Sequence, residues 1–213
     1  MDNQTNHSST TRARSPGRPR KLESDAILDA ALELFWKNGF STTTTRELES
    51  HLGLNQSSIY NQFGSKQNLL EQALDRYEKL TTESLLLPLQ LGTEGLHDIQ
   101  MFFNNLQRWV TRDSRKGCLL INMMAEDAAT TETITKRTRA YRRTVKQSFR
   151  RSLELANKRG QLTDPEITHK AELLMALTLG FNISVRGGAT KQEQKSLLSA
   201  VTMQLDSWRS ATV

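Results

Sequence analysis

The chain has 213 residues, a formal net charge of +6 and one cysteine, Cys118. Its length allows one or two domains with a sizeable core. The lone thiol excludes an internal disulfide framework and fits a reducing compartment, and no apolar run is long enough for a membrane span or placed to act as a secretory signal.

Four prolines in the whole chain, with Leu, Ala, Glu, Lys and Arg abundant, point to an all-α protein. Residues 1–21 are rich in Ser, Thr, Asn, Arg and Pro and are expected to form a disordered basic arm, with Arg12, Arg14, Arg18, Arg20 and Lys21 crowding its end. From Leu22 a helical period sets in: Ile27, Ala30, Ala31, Leu34 and Phe35 fall on one face, and Gly39–Phe40 reads as a C-cap. Thr44 and Glu47 form a capping box that opens a second helix, with Leu48 and Leu52 inward and Gly53 at its end. Asn55 is the predicted N-cap of a third helix, stapled by Leu54 and Ile59. Two short helices across a three-residue turn make a helix-turn-helix.

Ser65 caps a longer fourth helix with Leu70, Ala73, Leu74, Tyr77 and Leu80 on one stripe, predicted to end near Leu87 because Pro88 follows. At ~1.5 Å per residue that rod is roughly 34 Å long. After a loop, further helices are predicted near 94–113, 117–127, 131–159, 165–186 and 190–209, with Asp164–Pro165 as N-cap and N1 of the penultimate one.

The third helix is the unusual surface. Ile59 and Phe63 point to the core, which leaves Gln56, Ser57, Ser58, Tyr60 and Asn61 displayed. A solvated helix face is normally charged, yet no charge lies between Gly53 and Ser65. Short amides and hydroxyls reach base edges, and Gln or Asn can pair with adenine through two hydrogen bonds, so the face suits a DNA groove as well as plain solvent. Around it, Lys66 stands at the start of the fourth helix and Thr44, Thr45 and Arg46 at the start of the second, where free N–H groups favour phosphate.

The stretch GFSTTTTRELESHLGLNQSSIYNQFGSKQNLL resembles the DNA-binding domain of the TetR family of bacterial regulators. The features that carry the likeness are Gly39–Phe40, the Thr-rich start of the second helix, Gly53–Leu54, Ile59–Tyr60, Phe63 and Ser65–Lys66, within a match from about Leu22 to Thr82. Two departures from the family stand out: Glu49 stands where a small Ala is usual, and Ser57–Ser58 where Gly-Thr is common. The resemblance implies about nine helices: a helix-turn-helix domain over 22–82, with the motif at about 45–64, and a regulatory and dimerisation domain over 83–213. It further implies that the last two helices pair in a dimer. Their apolar residues Leu173, Leu177, Phe181, Leu198, Val201, Leu205 and Trp208 are the expected interface.

The arm's Gly17-Arg18-Pro19-Arg20 resembles an AT-hook core, so Arg18 and Arg20 are candidates for an A·T-rich minor groove, or for generic attraction to DNA. A ligand pocket is sought among Phe102, Phe103, Leu106, Trp109, Cys118, Asn122, Met123, Glu126, Tyr141, Phe149, Met175 and Leu179, most of which would serve equally as core. Cys118 reads as a packed residue, with a thiol sensor as the alternative. Arg137, Arg142, Arg143, Arg150 and Arg151 read as a solvated face. His7, His51, His97 and His169 are too scattered for a zinc site, and no Walker loop or nucleophile motif occurs, so neither an enzyme nor a metal or other cofactor is expected.

The expected protein is a cytoplasmic, homodimeric transcriptional regulator that binds double-stranded operator DNA. Release of a repressor by an unknown small molecule is the main expectation, and an activator or a ligand-independent regulator the alternative. A pure protein-interaction module is the rival from another class.

Overall fold

The computed structural model describes residues 20–111, 117–124 and 131–209, with side chains from residue 24 onward. The described elements are α1 (Arg20–Asn38), α2 (Thr45–Leu52), α3 (Gln56–Phe63), α4 (Lys66–Thr81), a π-helical turn (Thr82–Leu86), α5 (Leu87–Leu91), α6 (Leu96–Thr111), α7 (Leu119–Met124), α8 (Glu132–Lys158), α9 (Ile167–Arg186) and α10 (Lys191–Ser207). Among the described residues the fold is all-α; the only β contact is an isolated bridge between Leu162 and Arg209. No helix described is long and apolar enough to cross a membrane.

Pro88 does not stop the fourth helix as expected. Proline lacks an N–H and crowds the carbonyl four residues back. The chain avoids that clash by widening to a π turn, where the Leu87 N–H donates to the Thr82 carbonyl, and continues as α5 to Leu91. The start of α9 is also later than predicted. Asp164 accepts the Glu166 N–H at 3.1 Å in the preceding turn and holds Lys170 at 2.9 Å, so the helix begins only at Ile167.

One core runs from α1 to α10. In the C-terminal part Phe102 meets Phe103 and Phe149 edge-on, while Phe103 stacks on Phe149 at 6.0 Å between centroids. Helix α4 is gripped from both sides. Arg76 lays its guanidinium fork on Asp29 of α1, both hydrogen bonds at 2.8 Å, and reaches Asp25 at 2.9 Å. Arg137 of α8, expected on a solvated face, instead bridges Asp75 at 2.7 Å and Glu78 at 3.2 Å on α4. Arg142, Arg143 and Arg150 do lie exposed, and Arg151 donates to the Gly92 carbonyl.

The helix-turn-helix unit meets the rest of the chain at the segment Gly117–Leu119. The Trp36 indole N–H of α1 donates to the Gly117 carbonyl at 3.0 Å. The Cys118 N–H donates to Asn182 Oδ1 of α9 at 2.7 Å, and the Leu119 N–H to the Tyr77 hydroxyl of α4 at 3.0 Å. Arg186, in the last turn of α9, closes the ring by donating to the Trp36 carbonyl at 2.7 Å. Gly117 holds this crossing with φ at +83°, a left-handed conformation that favours glycine.

A candidate nucleic-acid interface

Helix α2 begins with the expected capping box. Glu47 accepts the Thr44 N–H at 2.7 Å and its hydroxyl at 2.8 Å, while Thr44 Oγ1 accepts the Glu47 N–H at 3.2 Å. The Thr44 backbone N–H, then its hydroxyl, hold the Glu47 carboxyl below its usual pKa, with the Lys66 charge adding to the effect. The cap is therefore fully present above the ordinary glutamate range and weakens as pH falls through the lowered value. Gly53 ends the helix in the left-handed region at φ +64°.

Helix α3 starts one residue after Asn55, whose Oδ1 accepts the Ser58 N–H at 2.8 Å and the Ser57 hydroxyl at 2.9 Å. Ile59 and Phe63 are buried, and Leu54 packs partly against the same core. Two inward anchors four residues apart leave Gln56, Ser57 and Asn61 exposed and Ser58 and Tyr60 half-buried at the flanks. Gln62 is exposed as well and was not among the predicted contacts. Displayed donors and acceptors without charge, on a helix fixed at both ends, can address base edges.

On either side lie groups suited to phosphate. Thr44 and Arg46 are exposed and Thr45 half-buried at the start of α2. Lys66 opens α4, where Ser65 caps by accepting the Asn68 N–H at 3.0 Å. The Lys66 ammonium stands 4.5 Å from the Phe40 ring centroid; its partial burial lowers its pKa, and the nearby Glu47 opposes that shift. Arg18 lies outside the described residues, and for Arg20 only the backbone, at the start of α1, is described.

The candidate pocket residues divide. Phe102, Phe103, Leu106, Phe149 and Met175 are almost wholly buried in close-packed core, as are Trp109, Cys118, Asn122 and Met123. Tyr141 and Leu179 are half-buried, and Glu126 lies outside the described residues. The Cys118 thiol accepts the Tyr77 hydroxyl at 3.1 Å and lies 3.8 Å from the Tyr141 hydroxyl. Burial pushes its pKa up, which disfavours the reactive thiolate and supports the packing role. Open space occurs instead beside Met123, where a cleft of ≈ 260 Å³ between α7 and α8 is lined by Met123, Met124, Ile134, Thr135, Thr138, Arg139 and Arg142. Its α8 wall is not legible in the sequence, because Thr and Arg at helical spacing look like any solvated face. Just outside the cleft, Thr131, the N-cap of α8, accepts a hydrogen bond from Gln67 in the first turn of α4 at 3.0 Å.

The expected dimer residues divide too. Phe181, Val201 and Leu205 are buried within the subunit, and the Trp208 ring packs over Lys170 at 5.5 Å. Leu177 and Leu198 are half-buried, and Leu173 is 39% exposed. The outward faces are therefore Leu173, Ala176, Gly180 and Ile183 on α9 and Ser196, Ala200 and Met203 on α10, at spacings of three and four. Apolar periodicity picks out the larger inward stripe, whose Phe181, Val201 and Leu205 the subunit uses for its own core.

Two family models match the chain: residues 27–73 match bacterial regulatory proteins of the tetR family, and residues 95–201 match the tetracyclin repressor-like C-terminal domain. The HTH-type transcriptional repressor ComR of Escherichia coli (strain K12) is 28% identical over 200 residues, covering 90% of this chain and 92% of ComR. Among solved structures, the TetR-family regulator CifR, a cysteine mutant bound to a 26-base-pair operator duplex, superposes with a TM-score of 0.75 at 19% identity, covering 93% of this chain and all of that one. AibR, in complex with isovaleryl coenzyme A and operator DNA, gives 0.71 at 17% identity, with 86% and 98% covered.

Proposed function

The chain belongs to the tetR family of bacterial regulatory proteins, DNA-binding transcriptional regulators, and on that footing we propose that it is a cytoplasmic, homodimeric repressor which a small molecule releases from its operator. The observation that carries the reading is α3: an uncharged, hydrogen-bonding edge held outward by Ile59 and Phe63 and flanked by Thr44, Arg46 and Lys66. Gln56, Ser57, Ser58, Tyr60 and Asn61 address bases or nearby sugar-phosphate, and Thr44, Thr45, Arg46 and Lys66 hold phosphates. Arg18 and Arg20 add attraction from the arm.

Dimerisation through the outward faces of α9 and α10 places two copies of α3 on one side of the duplex, one helical turn of ~34–36 Å or a multiple apart. Small residues at Ala176, Gly180, Ser196 and Ala200 let helices approach closely, while Leu173, Ile183 and Met203 supply apolar area. The repressor ComR, and the complex of AibR with isovaleryl coenzyme A and operator DNA, support the assignment by likeness.

Effector release follows from the way α4 is held. A ligand in the cleft between α7 and α8 adjoins Thr138, next to Arg137 and its ion pairs with α4, and lies one turn from the Thr131–Gln67 hydrogen bond. Shifting α8 there shifts the DNA-facing start of α4. Release requires that the ligand bind the shifted state better than the DNA-binding one.

Light scattering at micromolar concentration tests the assembly. A dimer, twice the chain's 24.2 kDa, is expected, and Ile183→Arg should reduce it to one chain mass without changing the helical content. A wild-type monomer, or an Ile183→Arg protein that stays dimeric, contradicts this use of α9.

A further inference from the structure

Glu49, the departure from the usual small residue noted in the sequence, stands in the second half of α2, one turn before the C-cap Gly53. Its carbonyl accepts the Gly53 N–H that ends α2, and the Leu54 N–H at 3.3 Å. Its side chain reaches forward: Glu49 Oε1 accepts the N–H of Gln56, the first residue of α3, at 2.6 Å. One residue thus clasps both sides of the helix-turn-helix turn. Asn55 takes the Ser58 N–H, so two of the three leading N–H groups of α3 are already occupied.

An open helix N-terminus attracts phosphate through its free N–H groups and its dipole. That attraction is blind to sequence and strengthens binding to any duplex. Here the place is filled by a half-buried carboxylate of the chain itself, bonded to the first N–H of α3. Binding through α3 then draws on its displayed side chains, while sequence-independent attraction is left to the starts of α2 and α4 and to the arm.

Resting on the DNA-reading assignment above, we propose that Glu49 is a specificity-determining positioning residue: it sets the angle of α3 and keeps a phosphate from its N-terminus, lowering affinity for random DNA more than for the operator. The same acceptors bear on Ser57. Its hydroxyl proton is given to Asn55, so toward a base it offers lone pairs and favours the exocyclic amines of adenine or cytosine.

The test uses the full-length chain, a duplex that the wild type enriches from random DNA, and a base-scrambled version of it. Glu49→Gln keeps an oxygen that can accept the Gln56 N–H but removes the charge. Glu49→Ala removes both. Glu49→Gln is expected to bind the scrambled duplex about 3- to 10-fold more tightly, by an amount that shrinks as salt rises, with a smaller gain on the selected duplex. Glu49→Ala should show that gain and also enrich a more degenerate site at the bases facing Gln56 and Ser57. Variants that bind both duplexes as the wild type does and enrich the same site would overturn the proposal. So would variants that lose affinity for both duplexes in equal proportion along with a lower Tm, since the cap would then be structural alone. A wild type that enriches no sequence fails the DNA-reading assignment itself and this proposal with it. A wild type that selects a site which both variants match fails the Glu49 role only.

Discussion

Asn61→Ala and Tyr60→Ala should each cut affinity for the selected operator at least tenfold while leaving binding to random duplex within about twofold. The asymmetry follows from where the two side chains sit. Asn61 is exposed on the edge opposite Ile59 and Phe63, and Tyr60 is half-buried beside it, so neither anchors the fold. A good base contact is worth about 1–3 kcal/mol, which is roughly 5- to 150-fold, and a homodimer loses it in both half-sites. Non-specific affinity rests on cations, and neither substitution removes one. Paired gel shifts on operator and scrambled duplex measure the two effects, with circular dichroism as a check on helical content. Equal binding of both variants and wild type to the operator would remove α3 from the reading of bases.

Gly117→Ala should lower the unfolding free energy by about 3 kcal/mol. With φ at +83°, an L-residue there carries about 1–2 kcal/mol of backbone strain. The new Cβ would also lie 3.0 Å from the Asn182 carbonyl and 3.0 Å from Asn122 Oδ1, both in buried surroundings. The segment cannot move aside cheaply, because its carbonyl holds Trp36 and its neighbours' N–H groups hold Asn182 and Tyr77. For a chain of this size the loss corresponds to a Tm lower by roughly 6–12 °C. Since the crossing joins α1 to α9, the variant should also bind its operator less tightly at temperatures where it remains folded. Thermal denaturation within 2 °C of wild type would show that the crossing tolerates a side chain.

How much of this was legible in the sequence depended on the range of the interaction. The capping box of Thr44 and Glu47, the Asn55 cap, and the division of α3 into Ile59 and Phe63 inside and Asn61 outside are set by residues three or four apart, and the sequence states them outright. The Glu49 clasp is seven residues long and depends on the angle between two helices, so the sequence marked the position as unusual without showing its partner. Arg137 looked like one more exposed arginine because Asp75 and Glu78 are some sixty residues away. The proposed dimer faces differ from the expected ones because apolar periodicity finds whichever stripe holds the larger side chains. On α9 and α10 those are Phe181, Val201 and Leu205, which the subunit needs for its own core, while Gly180 and Ala200 on the free faces add almost nothing to the pattern. Pro88 misled for a related reason: a proline rule assumes an α-helical register, and the chain changes register instead.

In the proposed complex two copies of α3, set by α9 and α10, read one face of a duplex. Selection of binding sites from random double-stranded DNA by the full-length wild-type protein tests it most directly. Enrichment of a two-fold-symmetric site is expected, with half-site centres one helical turn or a multiple apart, lost when Asn61→Ala is substituted. Enrichment of no sequence, or of an asymmetric site that Asn61→Ala selects equally well, would contradict it.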